Sequence, residues 1–179
     1  YGQGRPTEAR AVLSRVRAAA VRRQRGFNVC MVALHELDVV LTYQTDDRVA
    51  REHLASEAEA AWIYATRLQV GRDVPARFAR LPLLLLEGRW EEIVDLVRLE
   101  DAPAHVGFHL YAHPILGQMA RYQGDLRSSW EHIGAIVPMG PASTPGSAFS
   151  LDSMQRLAIA LALHVGDLAG AQAWLEAHD

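Results

Sequence analysis

One phrase recurs along this chain at a fixed register, and it restricts the fold more than any other feature. "GRWEEIVDLV" from Gly88 is echoed by "GDLRSSWEHI" from Gly124 and "GDLAGAQAWL" from Gly166. Gly4 in "GRPTEARAVL" and Thr45 in "TDDRVAREHL" supply two further anchors, so that successive anchors lie 41, 43, 36 and 42 residues apart. Five positions after the anchors stand Ala9, Ala50, Ile93, Ser129 and Ala171, and nine after stand Leu13, Leu54, Val97, Ile133 and Leu175. Four before stand Leu41, Leu84, Ala120 and Ala162; seven before stand Leu81, Gly117 and Ile159, with Asp38 as the exception. A repeated unit keeps its chemistry at fixed offsets in this way, whereas a chance likeness does not.

The offsets have a physical reading. Glycine just past a helix takes the left-handed conformation that ends it, and an aspartate next in line (Asp46, Asp125, Asp167) is placed to cap the following helix. Each anchor therefore predicts a corner between two helices. The mostly small residue five positions on lets the second helix cross closely over the first, and the aliphatic residue a turn later fills the gap. A helix pair of this kind cannot bury its stripe alone, so pairs are expected to stack.

Apolar spacing along the rest of the chain predicts nine helices and no strand, over about 6–25, 27–44, 46–70, 75–87, 89–99, 103–123, 125–137, 148–165 and 167–178. In the second, Phe27, Cys30, Met31, Leu34, Leu37 and Leu41 recur at helical spacing; in the third, Ala50, Leu54, Ala58, Ala61, Ala65 and Leu68 do so. "GRDVP" from Gly71 and "EDAP" from Glu100 read as connectors. The one longer loop is "PMGPASTPGS" from Pro138, which ends at a possible cap, Ser147. Pro82 and Pro114 fall inside helices on this reading and are expected to kink them. The fold class is all-α, a solenoid of stacked antiparallel helix pairs in one domain over 1–179. The pairs are expected to turn at residues 45, 88, 124 and 166 and to stack as a right-handed superhelix.

Composition narrows the function. The chain has 179 residues, half of them hydrophobic, and a formal net charge of −3, which gives no electrostatic footprint for direct nucleic-acid binding. Cys30 is the one cysteine, so neither an internal disulfide nor a cysteine metal cluster is available, and a cytoplasmic setting is expected. The longest apolar run, Leu157–Leu163, is far short of the roughly 20 residues of a membrane span. All basic residues are arginine, which removes a P-loop lysine, a Schiff-base lysine and a lysine base. The chain opens at Tyr1 and closes at Asp179 within a helical pattern, and it reads as a segment of a longer protein.

The pattern resembles a tetratricopeptide-type repeat. In "ILGQMARYQGDLRSSWEHI", Gly117 stands at the small site of the first helix, Gly124 at the turn and Ser129 in the second helix. The units are longer than the usual ~34 residues and lack the tryptophan near the start of the standard repeat. "RLAIALALHVGDLAGAQAWLEAHD" and the "GPASTPGS" loop ahead of it resemble the long superhelical repeats of large ATP-dependent LuxR-type transcription regulators. That resemblance implies a regulatory module that senses an inducer or protein partner and passes the signal to a DNA-binding domain elsewhere. The alternative is a generic tetratricopeptide-like scaffold that docks a protein partner.

Residues that carry chemistry elsewhere do not assemble into a catalytic pattern here. His105, His109 and His113 recur every four residues, a spacing that holds metal when acids join, but Pro114 intervenes and only Asp101 is in register. "HELDV" at His35 lacks the second histidine of a zincin motif. Arg10, Arg15, Arg17, Arg22, Arg23 and Arg25 form either a solvated helix face or a surface for phosphate or an acidic partner. Trp62, Trp90, Trp130 and Trp174 are expected mostly in the core. The chain thus reads as non-enzymatic, with no metal and no cofactor. If it binds a ligand, the first helices of successive pairs line the concave side, which puts His35, Tyr43, Phe78, Tyr111, Gln118, Arg121, Tyr122 and Arg156 in a groove suited to a small polar ligand or a peptide. The two end helices lack neighbours, so weak self-association is expected through open apolar faces such as Ala9, Val12, Leu13 and Val16.

Overall fold

The computed structural model describes residues 5–23, 25–44, 46–67, 76–98, 106–142 and 148–177. Helices run over Pro6–Arg22 (α1), Gly26–Tyr43 (α2), Arg48–Arg67 (α3), Leu81–Leu86 (α4), Trp90–Arg98 (α5), Val106–Tyr122 (α6), Leu126–Ile136 (α7), Ala148–His164 (α8) and Leu168–Glu176 (α9). The described residues form no strand, and the class is all-α. None of these helices is long and apolar enough to cross a membrane.

Three of the anchors make the corner expected of them. Gly88, Gly124 and Gly166 have φ of 68°, 79° and 76°, the left-handed region where a Cβ is penalised. At each, two backbone bonds close the preceding helix: Gly124 N–H donates to Arg121 O (3.1 Å) and Asp125 N–H to Ala120 O (2.9 Å), with the same pattern at Gly88 and Gly166. This is the Schellman arrangement. Asp125 then opens the next helix, its Oδ1 accepting from Ser128 N–H at 3.0 Å, as Asp167 Oδ1 accepts from Gly170 N–H at 2.9 Å.

The corner before α3 differs. Gly4, Thr45 and Ser147 lie outside the described residues, but the cap on α3 is Asp47, whose Oδ1 accepts from Ala50 N–H at 3.0 Å. Asp46, expected in that role, is a turn residue whose carbonyl accepts from Arg48 N–H. Where the sequence has threonine in place of glycine, the turn takes one more residue before the cap.

The chain divides into two compact units, Tyr1–Ala102 and Pro103–Asp179. In the first, α2 packs between α1 and α3, and α4 lies against both α2 and α3. Leu37, Val40, Leu54, Ala55 and Leu83 are the buried cluster they share. The helix expected over 75–87 is a 3-10 turn, Ala76–Arg80, followed by α4. Pro82 therefore stands in the first turn of an α-helix, where its missing N–H costs nothing, and not at an interior kink. Arg80 fastens the 3-10 turn to α3 through Glu52 (2.9 Å) and Glu59 (3.5 Å).

In the second unit α6 pairs with α7 and α8 with α9, and α8 lies against both α6 and α7. Its core is Ile133, Val137, Met154, Leu157, Ala158, Leu161 and Trp174. Pro114 stays inside a continuous α6. The small sites do what their size permits: Ser129 is buried, and its Oγ donates to Gly117 O at 2.8 Å. A Cβ at Gly117 would lie 2.8 Å from Leu157 Cδ2 and 3.2 Å from His132 Cβ, so three helices meet at that glycine. One expectation fails at the chain's far end. Leu175 is 44 % exposed, and Trp174 beside it takes the buried position. Trp130 is 37 % exposed, with its ring centroid 6.5 Å from that of Trp174. Gln155 secures the end of α9 by donating from Nε2 to Ala177 O at 3.0 Å.

Two substitutions of glycine by alanine should have opposite signs. At Gly117 the Leu157 methyl and the His132 Cβ must give way inside a packed core, at a cost of about 2 kcal/mol against the ~1 kcal/mol gained in helix propensity. At Gly134 on α7 a Cβ meets nothing within 4 Å, leaving only the gain. Urea denaturation should therefore show Gly117→Ala destabilised by about 1 kcal/mol or more and Gly134→Ala stabilised; equal shifts would mean that α6, α7 and α8 do not meet so closely.

Candidate functional site

The helix that looked like an arginine-coated surface faces two ways. Arg10 and Arg17 stand seven residues apart on α1, two turns along one face, and both turn inward to Glu36 on α2. Arg17 Nε donates to Glu36 Oε2 at 2.9 Å, and Arg10 Nε lies 3.8 Å from Oε1. Arg10 NH1 also donates to Asp47 Oδ2 at 3.1 Å and to Gln44, and Arg17 NH1 pairs with Glu57 on α3. His53 Nε2 lies 3.6 Å from Glu57. Glu36 is 2 % exposed, and a carboxylate at such depth requires partners on both oxygens. The two guanidinium groups supply them and tie α1, α2 and α3 together. The backbone N–H of Ala50 and then Arg10 hold the Asp47 carboxyl below its ordinary range.

The eight groove residues divide between the units, three in the first and five in the second. His35 is half-buried on α2, and Tyr43 is exposed at its end. Phe78 is 3 % exposed and serves as packing in the first unit rather than as a face presented to solvent. The side chain of Tyr111 lies outside the described residues. Gln118, Arg121 and Tyr122 do share a surface, at i, i+3 and i+4 on α6. The Arg121 guanidinium carbon sits 5.7 Å from the centroid of the exposed Tyr122 ring, a cation–π contact. Gln118 Oε1 is buried without a hydrogen-bond partner. Arg156 is half-buried on α8, the helix that packs on α6.

The histidine series is replaced by a pair that its spacing did not reveal. His105 and the side chain of His109 lie outside the described residues, while His113 Nδ1 meets His132 Nδ1 of α7 at 2.8 Å, ring centroids 5.1 Å apart. One nitrogen must carry the proton and the other accept it. Protons on both nitrogens would set two donors and two cations face to face. Burial lowers the His132 pKa, with Glu131 and Asp125 pulling it the other way. Among the described residues no group of three or more His, Cys, Asp or Glu is arranged to hold a metal ion. Cys30 is fully buried, and burial pushes its thiol up to about 12, so it lacks the thiolate that nucleophilic or redox chemistry uses.

Two outcomes are expected. Glu36→Gln places an amide against Arg17 and should lower the free energy of unfolding by about 2 kcal/mol; an unchanged urea midpoint would mean that the network is incidental. His132, with its folded pKa below the ordinary 6.5, contributes stability that is complete above that value and is lost as pH falls through the lowered one. Denaturation at about pH 7.5 and about pH 5 should show a larger acid loss for the native chain than for His132→Asn. No family model, curated protein or solved structure matches the chain.

Proposed function

We propose that the chain is a tetratricopeptide-like solenoid module that binds a peptide or small polar ligand without catalysing a reaction, and relays its occupancy within a LuxR-type transcription regulator. The observation that carries this reading is the recurrence of one corner at Gly88, Gly124 and Gly166. Each is followed at the fifth position by a buried Ile93, Ser129 or Ala171. The packing of α8 on both members of the preceding pair supports stacking of successive units, and α4 on α2 and α3 repeats the relation in the first unit. Such stacking exposes the first helix of each pair along one side. On α6 that side carries Arg121 and Tyr122, a cation over an aromatic face, one turn on from Gln118.

The regulator as parent rests on the resemblance of residues 156–179 and the loop ahead of them. Its test is the gene on either side: an upstream P-loop ATPase and a downstream helix-turn-helix would support it, and neither would leave the docking scaffold as the better reading. Binding is tested with a peptide selected by display against the immobilised chain. Its amide shift changes should cluster on α6 around Gln118–Tyr122, and Arg121→Ala with Tyr122→Ala should weaken it about tenfold or more. A binder whose shifts avoid α6 altogether would overturn this surface.

A further inference from the structure

The face of α1 turned away from the ion-pair network is neither polar nor neutral. Val12, Arg15, Val16, Ala19, Arg22 and Arg23 recur at i, i+3, i+4, i+7, i+10 and i+11, one continuous stripe. Val12 and Val16 are each 48 % exposed, and Arg15, Arg22 and Arg23 are exposed too. None of these three arginines is in an ion pair among the described residues. Glu8, the one acid on the helix, is taken by Arg5 at 3.2 Å. The stripe is therefore apolar with a positive border.

The outer face of α9 is its counterpart. Leu168, Gln172, Leu175 and Glu176 recur at i, i+4, i+7 and i+8; Leu168 and Leu175 are exposed, as are Ala169 and Ala173 beside them. The segment from Val165 to Ala177 contains Asp167 and Glu176 and no basic residue. It is apolar with a negative border.

We infer that these two faces are made for each other, and that a second copy of the chain occupies them: α1 of one copy seats on α9 of the next. Val16 packs beside Leu175 and the aliphatic stems of Arg22 and Arg23 lie over Leu168, while Arg15 and Arg22 meet Glu176 and Asp167. The contact joins two unlike faces and is heterologous, so copies either close into a ring or go on adding. The nine residues of α9 span only about 13 Å, and the interface falls well below the roughly 1,200 Å² of stable complexes. Association is consequently weak, with a midpoint on the order of 0.1 mM. A lipid surface fits less well, because interfacial helices insert Trp, Phe or Leu and this stripe has only valine and alanine.

Sedimentation velocity of the full chain, from about 10 µM to about 1 mM, tests the pairing. The sedimentation coefficient should rise with concentration, and less so in high salt. Arg15→Glu with Arg22→Glu makes both faces negative, and Gln172→Arg with Glu176→Arg makes both positive; all four positions are outside the core. Each variant alone should stay monomeric at concentrations where the native chain associates, and mixing the two should restore association. A native chain that is monomeric throughout, association that survives in either variant, or a mixture that stays monomeric would each overturn the inference. So would binding of the native chain to phosphatidylserine vesicles, abolished by Arg15→Glu, without self-association.

Discussion

Between Tyr122 and Leu126 the chain has three residues in which to end one helix and begin another, and that economy depends on a backbone step that only glycine takes at low cost. Gly124 makes the step at φ 79°. Asp125 then serves both sides of the corner: its N–H closes α6 on Ala120 O, and its carboxylate receives Ser128 N–H to open α7. Because the turn has no slack, the phase of the second helix is locked to that of the first. Ser129 is thereby brought under Gly117, and the hydroxyl-to-carbonyl bond between them is a consequence of the corner as much as a cause of the crossing. The third helix follows the same logic. With no side chain at Gly117 and only a hydroxymethyl at Ser129, the space above them is filled by Leu157 of α8.

The two units solve the same packing problem with different chemistry. The second brings α6, α7 and α8 together at a glycine, by subtraction of side-chain volume. The first joins α1, α2 and α3 through long side chains around Glu36. Burying a carboxylate is costly unless both oxygens are met, and an apolar replacement of the whole cluster would be no less stable. What the ion pairs add is alignment. Arg10 also reaches Asp47 and Arg17 also reaches Glu57, so a sliding of α1 by one turn would leave Glu36 buried with a single guanidinium.

These differences explain what could be read in advance. The corners are legible because their causes are local: a glycine that ends one helix and, after Gly124 and Gly166, an aspartate that caps the next. The cap on α3 was read one residue early, since the glycine rule was applied where the sequence has threonine. The fates of Arg10 and Arg17 were not legible, because their partners stand 19 to 40 residues away and charge spacing within one helix says nothing of a carboxylate on another. The same is true of His132, which joins His113 across a corner while the visible period of four pointed along α6. That Gln118, Arg121 and Tyr122 share one face of α6 follows from helix register alone. Phe78 fails as a groove residue because a first-helix position in a 3-10 turn does not keep the α-helical phase.

Leu175 shows how the last pair departs from the rule. In α7 the ninth position after the anchor is Ile133, which is buried with α8 lying over its pair. Trp174, one position earlier, joins Met154 and Leu161 in the core. Leu175 is left exposed on the same helix as Leu168. The outer face of α9 is thus apolar because this pair buries Trp174 together with Ala171 and leaves Leu175 outside the core.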